Sequence, residues 1–373
     1  HPGDAISSAL VANLKSVFSV RGVSYPPDEV PLAAVTPLFL PKNYTPFPLK
    51  MSRRFPMPLL PRDNPLLTQR VALGKKLFHD KSLSKDGTIS CATCHHEDKA
   101  FTDGLKFSKG INDQEGDKNS MPLFNLAWKS SFFWDGRAKS LRDQVLQPIQ
   151  DHREMASDLK IVVAQLQKDE LRAFENAFGP GPVTEEKIAL ALENFLLTLT
   201  SYDSKFDRAM SGKAKLSEAE QRGMELFFTE YEPRSQQYGA DCFHCHGGSF
   251  FSDHQFHNNG LKPSLFDTGL MKVTGKETDR GKFSTPSLRN IALTAPYMHD
   301  GRFQTLEEVI RHYNEGIHRT STLDPNLAKH PKGGIALSGK DQAALISFLK
   351  SLTDKKYGAK ERNSQKTQAP LRR

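Results

Sequence analysis

The residues of this chain with the clearest chemical meaning are its cysteines, which all fall in two copies of the pattern Cys-x-x-Cys-His. The two copies supply Cys91, Cys94, His95, Cys242, Cys245 and His246. This pattern is typical of covalent c-type haem attachment, because each thiol adds to one vinyl group of the porphyrin and the adjacent histidine can bind the iron. The sequence therefore predicts two c-type haems. Two haems in one chain indicate electron transfer or redox catalysis.

Three other chemistries of paired cysteines fit this sequence less well. A zinc site with four cysteine ligands has its pairs about 15–20 residues apart, whereas about 150 residues separate these two. A thioredoxin-like motif accompanies a βαβ pattern, which we do not find. Two structural disulfides would leave the histidines that follow Cys94 and Cys245 unexplained. Covalent haem is therefore the preferred interpretation.

The composition restricts the classes of partner. The chain has 373 residues, enough for two domains with their own cores, and a formal net charge of +8. Lysine and arginine concentrate between Lys355 and Arg373, which we interpret as a solvated, disordered tail. No basic motif is interleaved with aromatic residues, so nucleic acid is not an expected partner.

The haem-attachment motifs and the lack of an apolar membrane span together predict where the protein is located. No apolar run approaches the roughly 18–20 residues that a membrane-spanning helix needs. The chain starts at His1 without a charged segment followed by an apolar one. Because haem is attached to Cys-x-x-Cys-His outside the cytoplasm, we expect that a signal peptide has been removed and that the protein is periplasmic.

The hydrophobic pattern predicts a mainly α fold, with two cytochrome c-like haem domains packed together and an extended, proline-rich N-terminal strap. Helical spacing occurs at 66–78, 139–170, 184–211, 216–228, 305–313 and 338–352. Cap signatures stand at Thr184 and Ser217. A helix leads into a Cys-x-x-Cys-His motif twice, which suggests the two domains. The predicted divisions are 1–64 for the strap, 65–211 and 212–354 for the haem domains, and 355–373 for the basic tail.

Three longer motifs resemble a known family. Residues 78–96 read Phe-His-Asp-Lys-Ser-Leu-Ser and then lead into the first cysteine motif; residues 133–138 read Phe-Trp-Asp-Gly-Arg-Ala. Residues 285–301 combine Thr-Pro-Ser-Leu-Arg-Asn with a later His-Asp-Gly turn. Together these motifs resemble the bacterial dihaem cytochrome c peroxidase and MauG family, from about residue 66 to residue 352.

The resemblance implies a different role for each haem. The haem on His95 would react with hydrogen peroxide, and the haem on His246 would transfer electrons. Trp134 matches the tryptophan that lies between the two haems in this family. Trp128 matches no motif of the family, so we assign it to the hydrophobic core.

The resemblance also implies two catalytic groups, Gln144 and Glu154, which match the glutamine and glutamate of the family's distal pocket. Hydrogen peroxide must lose a proton from its inner oxygen and gain one on its outer oxygen before the O–O bond breaks. A pocket carboxylate can relay this proton. Glu154 is the candidate acid–base, with Gln144 as hydrogen-bonding partner. The neighbouring His152 is interpreted as a surface residue.

A calcium ion follows from the resemblance alone. The family holds one ion with an asparagine side chain and two backbone carbonyls. Asn119 matches the asparagine, and Thr294 and Pro296 match the carbonyl donors. Such oxygen ligands suit calcium.

The second haem has a tyrosine where the conventional peroxidases have a methionine ligand. Tyr313 occupies this place, and MauG has a tyrosine ligand at the equivalent position. A phenolate lowers the reduction potential of a haem and stabilises high oxidation states of its iron, whereas a thioether raises the potential. His312 and Met298 are the alternative ligands.

The first haem lacks the histidine that caps it in many conventional peroxidases. No histidine occurs between His96 and His152. We therefore expect the first haem to be open without a reductive activation step.

The preferred hypothesis is a MauG-like enzyme, in which hydrogen peroxide produces a high-valent dihaem state that oxidises an external substrate. By analogy this substrate is an aromatic residue, such as tryptophan, of a partner protein. The alternatives are a cytochrome c peroxidase that takes electrons from a small cytochrome or cupredoxin, a non-catalytic dihaem electron carrier, and a haem-based sensor. The protein is expected to be a monomer or a homodimer.

Overall fold

The structure is a computed structural model that describes residues 39–264 and 266–358. The first 38 residues of the expected strap and residues 359–373 of the basic tail lie outside this range. The described part is mainly α, as the sequence predicts, because its apolar residues recur at helical rather than alternating spacing. None of its helices is long and apolar enough to cross a membrane.

The α-helices of the described residues, in chain order, are α1 Thr68–Phe78, α2 Cys91–Cys94, α3 Leu141–Gln150, α4 Leu159–Asp169, α5 Leu171–Phe178, α6 Glu185–Leu197, α7 Lys205–Met210, α8 Glu218–Phe228, α9 Phe243–His246, α10 Met271–Thr274, α11 Leu306–Glu315, α12 Pro325–Ala328, α13 Gly339–Ser351 and α14 Lys355–Gly358. Short 3-10 helices occupy Lys81–Leu83, Glu97–Lys99, Ile111–Asp113, Leu126–Trp128, Pro233–Ser235, Glu277–Asp279 and Ile291–Leu293. Two antiparallel pairs form the strands: β1 Tyr231–Glu232 with β2 Gln237–Tyr238, and β3 Phe256–His257 with β4 Phe283–Ser284.

The described residues form two compact units. The first unit contains residues 39–204, 292–305 and 353–358, and the second contains 205–264, 266–291 and 306–352. Each unit carries one Cys-x-x-Cys-His motif. The sequence predicts haem domains at 65–211 and 212–354, and this linear division stays a prediction. In the structure, residues 292–305 group with the first unit although they lie in the second predicted domain.

The core of the first unit is built on the close packing of α1 against α6. A Cβ on Gly74 of α1 would lie 1.9 Å from the carbonyl oxygen of Ala191 and 2.8 Å from the Cβ of Phe195. Only glycine lets the two helix backbones approach this closely. Leu77 and Phe78 follow on α1, and both are buried in the same core.

The second unit repeats this arrangement with α8 and α13. A Cβ on Gly223 of α8 would lie 2.0 Å from the carbonyl oxygen of Ala344 and 2.8 Å from the Cβ of Phe348. The sequences correspond, since Gly-x-x-Leu-Phe occurs on α1 and α8 and Ala-Leu-x-x-Phe on α6 and α13. The two units therefore share one helix-pair design, in which the glycine-bearing helix precedes the cysteine motif.

The helix ends follow the local cap signals. The Thr184 side chain accepts a hydrogen bond from the backbone N–H of Lys187, and Ser217 forms a capping box with Glu220. The helical pattern predicted for 184–211 divides into α6 and α7. The reason is that the Asp354 carboxylate accepts from the backbone N–H groups of residues 202 and 203, at 2.7 and 2.9 Å, which would otherwise bond within a helix.

Trp128 is not a core residue, so its assignment to the core is wrong. Its side chain is half-buried. Its indole N–H donates to the carbonyl oxygen of Pro56 at 2.8 Å, and its ring meets Phe55 edge-on at 5.4 Å. The polar end of the indole is satisfied by the loop of residues 55–62 at the surface.

The first residues of the basic tail are ordered, which also departs from the expectation. Residues 355–358 form α14, and Tyr357 is buried. Its ring packs against Phe101 and Phe124 at centroid distances of 6.1 and 6.4 Å. A single buried aromatic side chain thus anchors the beginning of a segment that is otherwise rich in charge.

Candidate active site

The first cysteine motif lies on α2. Ser90 precedes this helix and shares a capping box with Thr93, which fixes the start of the turn that carries Cys91 and Cys94. The Nδ1 atom of His95 lies 2.7 Å from the carbonyl oxygen of Phe101, so it is the protonated nitrogen. The Nε2 atom is thereby left to bind a metal, the usual arrangement of a haem histidine.

A large cavity opens beside this motif. Its empty volume is about 1470 Å³, open solvent at its mouth included, and its lining contains both thiols, His95, Trp134, Gln144 and Glu154. Apolar side chains form much of the remaining wall, and none of the four cysteines is paired in a disulfide. The thiols, the available imidazole nitrogen and the apolar side chains of the wall fit a c-type haem.

A short loop between α3 and α4 presents Glu154 to the cavity. The backbone N–H of Ile111 donates to the Glu154 carbonyl oxygen at 2.9 Å. A Cβ on Gly110 would lie 2.0 Å from the Arg153 oxygen and 2.6 Å from the Glu154 oxygen, so the two loops require a glycine at their contact. Glu154 is therefore held by its backbone, while its carboxylate is left to face the cavity.

The environment of Glu154 suits proton transfer. Burial, followed by the charge of Asp151, raises the pKa of the carboxyl to about 7, although Arg137 and Arg153 oppose this shift. Such a group exchanges protons readily near neutral pH. Gln144 lines the same cavity. His152 is a surface residue as predicted, with 85% of its side chain exposed.

Trp134 and Asn119 lie next to each other at the cavity wall. The indole N–H of the buried Trp134 donates to the carbonyl oxygen of Asn119 at 2.8 Å. The backbone N–H of Asn119 donates to the carbonyl oxygen of His299 at 2.8 Å, which ties it to the segment carrying Thr294 and Pro296. The Asn119 amide N–H donates to Leu105, so its Oδ1 is the atom available for a cation. The assignment of Asn119, Thr294 and Pro296 as calcium ligands stays a prediction.

The second cysteine motif repeats the geometry of the first. The Nδ1 atom of His246, at the end of α9, lies 3.2 Å from the carbonyl oxygen of Phe251, which again leaves Nε2 available. Arg289 fixes the loop between His246 and Phe251. Its guanidinium donates to the Ser249 carbonyl oxygen at 2.7 Å and pairs with Asp207 at 2.7 Å. Cys242 and Cys245 precede His246 in the chain. The motif therefore offers a second haem the same ligand set.

Tyr313 and His312 lie next to each other on α11 but make different contacts. The Nε2 atom of His312 donates to the carbonyl oxygen of Asn259 at 3.0 Å, so this nitrogen is already used. The Tyr313 hydroxyl accepts from the Asn259 amide at 3.3 Å. Burial raises the pKa of Tyr313, and the thiols of both Cys242 and Cys245 lie close enough to raise it further. Tyr313 therefore lies near Cys242 and Cys245, and Nε2 of His312 is already hydrogen-bonded.

Met298, the third candidate ligand, lies in the turn that follows Pro296, where its backbone has a φ of +75°. We retain Tyr313 as the proposed ligand because Cys242 and Cys245 both contribute to the shift of its pKa.

An ion-paired histidine beside the second motif was missed by sequence reasoning. His257 lies between two carboxylates, with Nε2 at 2.8 Å from Asp253 and Nδ1 at 2.5 Å from Asp324. Hydrogen bonds to both carboxylates raise its pKa to about 12, and Cys245 is a further partner. The spacing of Asp253 and His257 gives a weak local signal. Asp324 gives none, because only tertiary structure brings it near.

Comparisons with known proteins agree with this geometry. Residues 68–215 match the family model of di-haem cytochrome c peroxidases. The chain is 34% identical over 295 residues to the methylamine utilization protein MauG of Methylophilus methylotrophus, with 78% of this chain and 84% of that protein covered. It is 37% identical over 295 residues to the cytochrome c551 peroxidase of Nitrosomonas europaea, with 75% and 79% covered.

A solved structure supports the same relationship. It is that of a MauG-like protein associated with microbial copper homeostasis, which has a TM-score of 0.73 and 36% sequence identity to this chain. The match covers 83% of this chain and 96% of the other. The family and these relatives imply two haems and peroxide-dependent redox chemistry, so this protein is a peroxide-dependent oxidoreductase. The chain belongs to the di-haem cytochrome c peroxidase family, which includes the MauG proteins.

Proposed function

We propose that this enzyme is MauG-like: it consumes hydrogen peroxide in the cavity of the first unit and oxidises an aromatic residue, such as tryptophan, on a partner protein. The observation that carries the proposal is the position of Glu154, a half-buried carboxyl in the wall of the cavity that also contains Cys91, Cys94 and His95, with a pKa raised to about 7. The proposed compartment is the periplasm, and the enzyme acts as a monomer or homodimer.

Both haems are proposed to be covalently attached, one through Cys91 and Cys94 and the other through Cys242 and Cys245. His95 and His246 are their proximal ligands. When bound, the haems supply the two-electron oxidising chemistry and hold the oxidising equivalents until the substrate is reached.

Glu154 moves the proton that the reaction requires. Its carboxylate accepts a proton from the inner oxygen of hydrogen peroxide and then returns it to the outer oxygen, which leaves as water. A carboxyl with its ordinary pKa would be a weaker base and a rarer acid at neutral pH, so burial adapts Glu154 to both steps. The Gln144 amide, in the same wall, orients the peroxide by hydrogen bonding.

Trp134 is proposed to conduct oxidising equivalents from the first haem toward the second. It is buried, and its N–H is fixed by the Asn119 carbonyl oxygen. A calcium ion held by the Asn119 side chain and by the carbonyl oxygens of Thr294 and Pro296 keeps this wall of the cavity in place.

Tyr313 is proposed to bind the iron of the second haem. Its phenolate would favour an oxidised iron and would make this haem a poor acceptor from an ordinary cytochrome. This property would distinguish the enzyme from a conventional cytochrome c peroxidase, which needs a second haem that small electron donors can reduce.

The proposal can be tested on the diferric holoprotein with one equivalent of hydrogen peroxide and Mössbauer spectroscopy. We expect the signals of both irons to change. A change at one iron, with the other still ferric, would contradict the proposal, and rapid consumption of peroxide in the presence of a reduced small cytochrome would identify a conventional peroxidase. A dihaem electron carrier would leave both signals unchanged.

A further inference from the structure

The cavity of the first unit contains a lysine that the proposed reaction does not use. Lys129 follows the 3-10 helix Leu126–Trp128 and lines the cavity that also contains Trp134 and Glu154. Burial lowers the pKa of its ammonium to about 8, and no neighbouring charge contributes to this shift. A desolvated ammonium is unfavourable unless an anion pairs with it.

Several other basic side chains of the cavity wall have a carboxylate partner, in contrast to Lys129. Their ion pairs are Arg153–Asp117 at 3.2 Å, Arg137–Asp135 at 3.2 Å, Lys118–Asp117 at 3.8 Å and Lys109–Asp113 at 4.0 Å. The Lys129 ammonium has no such carboxylate partner within residues 39–264 and 266–358. Lys129 is half-buried, so a molecule that fills the cavity would desolvate it further and could supply the counter-ion.

Lys129 and the thiols of Cys91 and Cys94 line one cavity. A porphyrin attached to these thiols by its vinyl groups would occupy that cavity and would bring its two propionates into it.

We propose that Lys129 forms an ion pair with a propionate of the haem attached to Cys91 and Cys94. This inference rests on the proposed attachment of that haem. The propionates are the anionic groups that a haem brings into the cavity, and an ammonium offers three hydrogen-bond donors. Charge-assisted hydrogen bonds are strong where water is excluded.

The ion pair has a measurable consequence for the haem. A positive charge beside the propionate offsets part of its negative field at the iron, which favours the ferrous over the ferric state. Replacing Lys129 with an uncharged residue should therefore lower the midpoint potential of the first haem. Arginine keeps the charge and should keep the potential closer to that of the wild type.

The test compares the holoprotein with its Lys129→Met, Lys129→Gln and Lys129→Arg variants. The measurements are the covalent haem content, the midpoint potential of the first haem and the resonance Raman bending modes of its propionates. Lys109→Met is the matched control, because it removes the same charge from a cavity lysine that already has a carboxylate partner. We expect a lower potential and shifted propionate modes in Lys129→Met and Lys129→Gln, but neither in Lys109→Met.

These outcomes test the Lys129 ion pair independently of the enzyme's proposed function. Selective loss of the first haem from Lys129→Met, with retention in Lys129→Arg, would also support the ion pair. Wild-type potentials and propionate modes in fully loaded Lys129→Met and Lys129→Gln would overturn it, as would an equal shift in Lys109→Met. Fewer than two covalent haems in the wild type would instead refute the proposed haem attachment.

Discussion

The side-chain amide of Asn259 donates a hydrogen bond to the phenol oxygen of Tyr313 across 3.3 Å. The carbonyl oxygen of the same residue accepts from Nε2 of His312 at 3.0 Å. One loop residue therefore orients both candidate ligands of α11 and engages the imidazole nitrogen of one of them. This relationship gives Asn259 a role in setting the properties of the second haem.

Replacing Asn259 with leucine should lower the midpoint potential of the second haem. The amide withdraws electron density from the phenolate oxygen, so its loss makes Tyr313 a stronger donor to ferric iron. A hydrogen bond to a charged group contributes about 1.5–3 kcal/mol, so a differential effect on the order of tens of millivolts is expected. Spectroelectrochemical titration measures this shift. Gln342→Leu serves as control, because it removes a side-chain amide of the same unit that donates to the carbonyl oxygen of Leu337.

Replacing Tyr313 with methionine should raise the potential of the second haem. A thioether favours ferrous iron, whereas a phenolate favours ferric iron. Axial ligands change haem potentials over a range of about 0.8 V, so we expect a rise on the order of 100 mV or more. His312→Gln should leave the potential near its wild-type value. An unchanged potential in Tyr313→Met, or a large change in His312→Gln, would show that Tyr313 is not the ligand.

The rate of peroxide cleavage should depend on the protonation of Glu154. The pKa of this carboxyl is raised to about 7 from its ordinary 4.5, so the reactive carboxylate is lost as the pH falls below about 7. The single-turnover rate should therefore rise between about pH 6 and pH 8 and then level off.

Glu154→Gln should slow this step by a factor on the order of 10²–10⁴ and abolish the pH dependence. Glu154→Asp keeps a carboxyl and should retain part of the rate. Stopped-flow spectra after mixing with hydrogen peroxide measure both variants. A Glu154→Gln enzyme with the wild-type pH profile would exclude this residue as the proton relay.

Much of the helical framework could be predicted from the sequence because its signals are local. The caps at Thr184 and Ser217 depend on side chains within three residues of the helix start. The close approach of α1 to α6 is indicated in the sequence by two small residues, Gly74 on α1 and Ala191 on α6. The position of Glu154 followed from a family motif, and its burial could be seen only in the structure.

The remainder depends on contacts between distant parts of the chain. Asp354 binds the backbone of residues 202 and 203 between α6 and α7, and Tyr357 is buried although it lies at the start of a basic segment. Asp324 meets His257 across 67 positions of sequence. Trp128 was misassigned because hydrophobicity does not reveal that its N–H bonds a surface loop. Local periodicity contains no information about such pairings.

Calcium content should depend on the side chain of Asn119. We expect one calcium ion per chain in the purified wild type, measured by elemental analysis after extensive dialysis. Asn119→Leu removes the proposed oxygen ligand and should lose the ion, whereas Asn119→Asp supplies a carboxylate and should keep it. An equal calcium content in the wild type and Asn119→Leu would remove Asn119 from the ligand set.

The packing of each helix pair should tolerate no side chain at its crossing glycine. Gly74→Ala would place a Cβ 1.9 Å from the Ala191 oxygen, and Gly223→Ala would place one 2.0 Å from the Ala344 oxygen. Because backbone lies on both sides, the helices must separate, and overpacking of this kind costs about 1–3 kcal/mol or more. Gly339→Ala is the matched control, since no atom lies within 4 Å of its added Cβ.

Chemical unfolding of the three holoproteins measures these costs. Gly74→Ala and Gly223→Ala should lower the free energy of unfolding, each through its own unit, whereas Gly339→Ala should be neutral or stabilising by about 0.4–1 kcal/mol. If the contacts hold each haem-bearing turn in place, Gly74→Ala should perturb the absorption of the first haem and Gly223→Ala that of the second. Wild-type stability in either crossing variant would refute the proposed packing role, because a backbone contact this close cannot accept a methyl group without displacement.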